Sequence, residues 1–301
     1  MPPETPPLDS GYFKEHYRES VERMFAAVSN LYAKYWNDFF HFAIFEDDRE
    51  SWELAFQKTH TRYLDALQIS RAQRTLELGC GRGGFSNILA QHTHGTVLGI
   101  DISRSQLSHT KRFTRSNLRF KSHDIMHVDD LGETFDAVAC LDAAFYLPDK
   151  ALAIERLSKV VEPGGRVVLV DWCRREGLSA VQEELVLHPF MRYWGVPSLE
   201  TIGSYRRIFR HSGFSLLDVA DLNGQVKRNW EFGYQQALSA ITELSIKDAP
   251  RFLWQGIALG SDGIRLIKEQ FPAAVYIKVG FDAGFLRYVY FLAERQSRTR
   301  R

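Results

Sequence analysis

Thr75-Leu76-Glu77-Leu78-Gly79-Cys80-Gly81-Arg82-Gly83-Gly84-Phe85 is the stretch whose reading decides the fold. An apolar run ends in a cluster of glycines, and the glycines open a helical pattern. Such residues let a backbone turn tightly between strand and helix and approach a ligand closely. Asp101 follows 22 residues after Gly79, at the end of a second apolar run, Val97-Leu98-Gly99-Ile100-Asp101. A carboxylate there can accept hydrogen bonds from ribose hydroxyls. Glu77 stands two positions before Gly79, where it would repel a pyrophosphate and suit a cationic cofactor. Asp124 follows a third run and can accept from an adenine amino group. No GxxxxGK[ST] phosphate loop is present.

Outward from this stretch, short apolar runs alternate with helical patterns. The runs predict strands at Thr75–Leu78, Val97–Asp101, Leu118–Ser122, Ala137–Leu141 and Arg166–Asp171, with helices at Phe85–His92, Arg104–Ser116 and Ala151–Val160. That alternation is the mark of a parallel sheet covered on both faces, an α/β fold. Pro163-Gly164-Gly165 reads as a turn before the fifth strand. Further strands are expected at Phe214–Val219 and Tyr288–Leu292, and the roughly 65 residues between them exceed a simple loop. With 176–210, that stretch suggests a helical cap inserted after strands five and six. Before the core, Tyr17, Val21, Met24, Phe25, Val28 and Tyr32 recur on one helix face, and Ser51–Leu67 is helical again. The organisation expected is an arm and helical lid over 1–68, a cofactor-binding core over 69–175, a cap with strand six over 176–287, and a final strand with a basic tail over 288–301.

Composition excludes several functions. Lys and Arg total 38 against 37 Asp and Glu, a net charge of +1, which makes no electrostatic case for nucleic acid. No apolar run approaches the ~20 residues of a membrane span. Cys80, Cys140 and Cys173 are too scattered for a zinc site or a disulfide framework, and the Pro-rich start has no apolar signal segment, so a cytoplasmic setting is expected.

Taken together, Glu77, Gly79, Gly81, Gly83, Asp101, Asp124 and Pro163-Gly164-Gly165 resemble class I S-adenosylmethionine (SAM)-dependent methyltransferases over roughly residues 70–175. The resemblance implies a Rossmann-like seven-stranded sheet of order 3-2-1-4-5-7-6 with strand seven antiparallel. It also implies SAM as cofactor, S-adenosylhomocysteine as its product, and a cofactor site that adds Ile102, Ile125 and Leu141 to those motif residues. The rival for the glycine motif alone is a nicotinamide-type Rossmann domain.

The acceptor site in such a fold lies beyond strands four and five, here Asp142 to Asp149 and Asp171-Trp172-Cys173. Phe145 and Tyr146 stand where many O-methyltransferases carry a histidine. Asp142 matches by position the acidic residue of sterol and geranyl diphosphate C-methyltransferases. Trp36-Asn37-Asp38-Phe39-Phe40-His41-Phe42, Lys227-Arg228-Asn229-Trp230 and Phe285 to Leu292 look like segments of the sterol and tocopherol group. This subgroup implies carbon methylation of a prenyl or terpenoid alkene through a carbocation, with ring closure as an option. Tyr35, Trp36, Phe39, Phe40, Phe145, Tyr193 and Trp194 could offer π faces to that cation, and Asp142 could take its proton. O- or N-methylation assisted by His41 or Tyr146, and a cyclase or scaffold that uses SAM without transferring methyl, are the alternatives. The bland reading of Asp142 is a helix cap. Asp142 and Asp171 have no third ligand at matching spacing, so no metal is expected. The partner expected is an apolar small molecule, and the apolar face of the leading helix suggests a homo-oligomer. Arg206, Arg207 and Arg210 could meet a diphosphate but read better as a solvated helix face.

Overall fold

The computed structural model describes residues 10–35, 39–243 and 272–297. Seven strands form one sheet: β1 (Arg74–Leu78), β2 (Thr96–Asp101), β3 (Leu118–Ser122), β4 (Phe135–Leu141), β5 (Val161–Arg174), β6 (Phe214–Asp221) and β7 (Leu286–Arg295). Their order is β3-β2-β1-β4-β5-β7-β6. The first five are parallel, and β7 runs antiparallel between β5 and β6. This is the order expected of a class I methyltransferase.

Side-chain alternation along the strands feeds two cores, one on each face. Ala137, Ala139 and Leu141 of β4, Val168, Val170 and Trp172 of β5, and Tyr288 and Tyr290 of β7 share one apolar cluster. Val138 and Cys140, Val167 and Leu169, Val289 and Phe291 join the other. Burial on both faces explains the near-continuous apolar runs.

The first cluster is covered by α2 (Tyr17–Tyr35), which follows the short α1 (Ser10–Glu15), and by α3 (Trp52–Ala66) and α4 (Gly84–His92). The Ser51 side chain accepts from the Leu54 amide and starts α3, and Leu67 closes it, the limits the periodicity predicts. Val21 and Met24 of α2 are buried in this chain's own core. α6 (Lys150–Val160) and α9 (Ile202–His211) cover the second cluster. Tyr205 and Phe209 turn inward, while Arg206, Arg207 and Arg210 are exposed, a solvated face as expected.

Two local expectations change. The helix expected over Arg104–Ser116 is only α5 (Arg104–Leu107) followed by a 3-10 stretch, Ser108–Arg112. Pro163-Gly164-Gly165 lies inside β5: the register jumps from Phe135 opposite Val161 to Ala137 opposite Arg166, so the loop bulges from the ladder. After β5, α7 (Ala180–Gln182), a π-turn (Glu183–Leu187) and α8 (His188–Trp194) form the insertion, and α9 is the crossover to β6. Helices α10 (Asn223–Glu243) and α11 (272–282) lie between β6 and β7. Residues 244–271 of the expected cap, Trp254 among them, fall outside the described residues. No described helix is long and apolar enough to cross a membrane.

Candidate active site

At the carboxyl ends of β1, β2 and β4, with α2 and the Phe39–His41 loop arching over, lies a cleft with about 760 Å³ of empty space. Glu77, Gly79, Gly81, Asp101, Ile102, Asp124, Ile125 and Leu141 all line it, as do Asp142, Tyr146, Phe39, Phe40 and His41. Tyr17, Val21, Phe25 and Gln106 line it too, and the sequence did not single them out for the site.

The glycine turn does two jobs. Gly79 has φ +69°, and a Cβ there would stand 2.4 Å from the Cβ of Ala143, so the β1 and β4 loops meet only because Gly79 has none. At Gly81, φ +51°, a Cβ would meet only Gln106, at 3.7 Å, and otherwise project into the cleft. Gly83 does not line the cleft. It precedes α4 and packs against Phe120.

Acidity dominates the wall. Glu77, Asp101, Asp124 and Asp142 line the cleft, and no Lys or Arg does so among the described residues. Glu77 accepts from the Ser86 hydroxyl. Burial first, then the charge of Asp101, pushes it up to about 8. Asp101 accepts from the amides of Gly81 at 2.8 Å and Ser103 at 2.7 Å, which partly offset the burial that raises it to about 6. Asp124 Oδ1 accepts from the Met126 amide at 2.8 Å. Its Oδ2 is buried without a hydrogen bond, 3.5 Å from Arg18 Nε on α2.

These features fit SAM. A cationic sulfonium and ammonium suit the acidic wall, ribose hydroxyls suit Asp101, and Asp124 Oδ2, ion-paired with Arg18 but without a hydrogen bond, can accept from a donor such as the adenine amino group.

Asp142 follows β4 with φ +52°, its amide donating to Val170 O. Asp is among the few residues that tolerate this left-handed geometry. It caps no helix: Asp149 caps α6, and the turn Ala144–Tyr146 has no side-chain cap. Its Oδ1 accepts from Trp172 Nε1 at 3.1 Å and its Oδ2 from the Tyr288 hydroxyl at 3.0 Å. Burial raises its pKa well above the carboxylate range, opposed by the Tyr288 hydroxyl, with Asp171 pushing it further up.

The remaining predicted residues divide. His41 lines the cleft, but its Nε2 lies 3.0 Å from His60 Nε2. Tyr146 faces Phe25 edge-on, and its hydroxyl points to Met24 Sδ at 3.8 Å. Phe145 lies behind the cleft, stacked on Trp172. Tyr193 stacks on Tyr276, and Trp194 lies 6.5 Å from Trp172, both outside the cleft wall. Trp36 lies outside the described residues, and Tyr35 is described only as the end of α2. Asp171 faces inward, accepting from the Phe145 amide and the Tyr205 hydroxyl, with the buried Lys150 as its nearby countercharge. Among the described residues, no three metal-ligating side chains converge. The three cysteines are buried free thiols.

Known proteins share this family and fold. The family model described as "Methyltransferase domain" matches residues 31–219. The chain is 25% identical over 285 residues to 2-methyl-6-phytyl-1,4-hydroquinone methyltransferase of Synechocystis, covering 88% of this chain and 83% of that protein. It is 25% identical over 226 residues to sterol 24-C-methyltransferase of Saccharomyces cerevisiae, covering 70% and 58%. Among solved structures, the [4+2]-cyclase SpnF superposes with a TM-score of 0.71 at 20% identity, covering 92% of this chain and 95% of that one, a likeness of fold. The chain therefore belongs to the methyltransferase domain family, with the sheet and cleft of a class I SAM-dependent methyltransferase.

Proposed function

We propose that the protein methylates a carbon of an alkene in an apolar prenyl- or terpene-derived small molecule, with Asp142 as proton acceptor. The observation that carries this reading is the partly buried carboxylate of Asp142 in a cleft walled by the rings of Phe25, Phe39, Phe40 and Tyr146. When bound, SAM supplies an electrophilic methyl group on a cationic sulfur. The chain's residues supply the surroundings. π electrons of the alkene form the new C–C bond as the methyl–sulfur bond breaks, leaving positive charge on the acceptor. Ring faces stabilise such charge by ~0.5–2 kcal/mol each. Asp142 acts in its ionised form, which the Trp172 and Tyr288 donors and the neighbouring positive charge favour against desolvation; it then removes a proton from the adjacent carbon and the alkene re-forms, one proton ending on Oδ1 or Oδ2. Tyr17, Val21 and Phe25 of α2 cover the cleft and keep water from the cation. The acidic wall suits a neutral acceptor better than a free diphosphate.

O- or N-methylation through His41 is less well supported, because the contact with His60 occupies its Nε2, and burial with the neighbouring His60 lowers its basicity far below that of an ordinary histidine. The test is incubation with methyl-labelled SAM and a panel of prenylated hydroquinones, terpenes and sterols, with products analysed by mass and NMR. A new C–CH3 is expected. A heteroatom-bound methyl would move the assignment to the second reading, and a rearranged product of unchanged mass would make the protein a cyclase.

A further inference from the structure

Three sequence segments outside the cofactor motif converge on one carboxylate. Leu141 of β4 pairs with Val170, so Asp142 emerges one step beyond the ladder, beside β5. Across the β5·β7 ladder Trp172 is paired with Tyr288. Register thus sets the two donors to Asp142 side by side on one face of the sheet. The Tyr288 hydroxyl also accepts from the Phe42 amide at 3.3 Å, which directs its own hydrogen toward Asp142. The next residue, Ala43, is held at both backbone groups by the buried Asn229: its amide donates to Oδ1 at 2.9 Å, and its carbonyl accepts from Nδ2 at 2.7 Å. Asn229 belongs to the Lys227-Arg228-Asn229-Trp230 segment, Phe42 to the aromatic segment, and Tyr288 to the last strand.

We propose that Tyr288 is the positioning residue for Asp142: its hydroxyl, oriented by Phe42 N–H and braced through Ala43 by Asn229, joins Trp172 Nε1–H in fixing the carboxylate plane at the cleft. This rests on the reading of Asp142 as proton acceptor and explains how it is held. Two side-chain donors, with the Phe42 amide acting on the same carboxylate, leave free lone pairs for a substrate proton. They also favour its charged form in a site where burial disfavours it.

The tie between the two residues is tested on the full-length protein by infrared titration, with Asp142→Asn as the blank that isolates the Asp142 carboxyl band. Loss of one donor in Tyr288→Phe should raise the midpoint by about one pH unit, tenfold in dissociation constant. Asp171, Cys140 and Tyr63, the other titratable groups acting on Asp142, stay in every variant. An unmoved midpoint overturns the assignment whatever the reaction. Trp172→Phe gives the same test from the other oxygen should Tyr288→Phe not fold.

Kinetics with labelled SAM and the prenylated panel give the second readout. Tyr288→Phe should lower kcat about tenfold in the native background and less than twofold in Asp142→Asn, with KM for SAM unchanged. Equal losses in both backgrounds would mean a merely structural Tyr288 and leave Asp142 as the base. Undiminished turnover in Asp142→Asn would remove the proton-acceptor reading, and the infrared midpoint would still decide the tie.

Discussion

The rings of His41 and His60 meet Nε2 to Nε2 at 3.0 Å, within a shell formed by Phe39, Phe56 and Phe85. One nitrogen must donate and the other accept, so the pair works as a hydrogen-bonded neutral unit. Burial and the neighbouring His60 lower His41 far below the histidine range, and burial lowers His60 to about 4. His41→Phe should therefore keep methyl transfer within about tenfold, as removal of a packing group rather than a base. A loss beyond about a thousandfold at unchanged SAM affinity would restore His41 as the general base.

Asp142→Asn preserves the shape of the residue and removes its basicity. Turnover should fall by ~10²–10⁴-fold while SAM affinity, measured by titration calorimetry, stays nearly constant. A fall below threefold would make the carboxylate dispensable.

Asp101→Ala removes an acceptor held by two amides at the end of β2. SAM binding should weaken by ~1–3 kcal/mol, the loss of charge-assisted hydrogen bonds to ribose. Unchanged affinity would take Asp101 out of the cofactor site.

Gly79→Ala combines a φ of +69° with a Cβ 2.4 Å from that of Ala143. The β1 and β4 loops would have to part, at a cost of about 1–3 kcal/mol in stability. Chemical denaturation reads the first effect, and calorimetry should show weaker SAM binding.

The acidic cleft predicts a pH signature of the ligand-free protein. Glu77 titrates near 8 in the fold, well above its unfolded value of about 4.3. Between pH 6.5 and 8 the folded state then binds more protons than the unfolded chain, so stability falls as pH rises. The histidine pair acts with the opposite sign, but below pH 6.5: its depressed values mean stability is lost as pH falls. Melting temperatures across pH 6.5–8 should decline for the native protein and decline less steeply for Glu77→Gln, with Asp142, also raised by burial, contributing slope of the same sign. A flat native profile would show that Glu77 carries no such burden.

The strand–glycine–helix signal, the carboxylates after β1, β2 and β3, and the order of elements were legible in the sequence because they are local. Alternation of period two and 3.6 reports burial, and a glycine after an apolar run reports a turn. α3 could be located to within a residue because its cap and its apolar face are written in consecutive positions. Tertiary structure decided what depends on distant pairs. Glu162 to Arg166 could not be read as a bulge without β4 beside it. His41 could be read as an acid or base or as a satisfied structural histidine until His60 was set against it, and the alternative of Asp142 as a helix cap stood until β5 and β7 delivered Trp172 and Tyr288 from 30 and 146 residues away. Phe145, Tyr193 and Trp194 looked no different from Phe25, yet they pack outside the cleft that Phe25 walls. Aromatic composition carries no direction; only the packed register of strands and helices says which face of a ring meets the ligand.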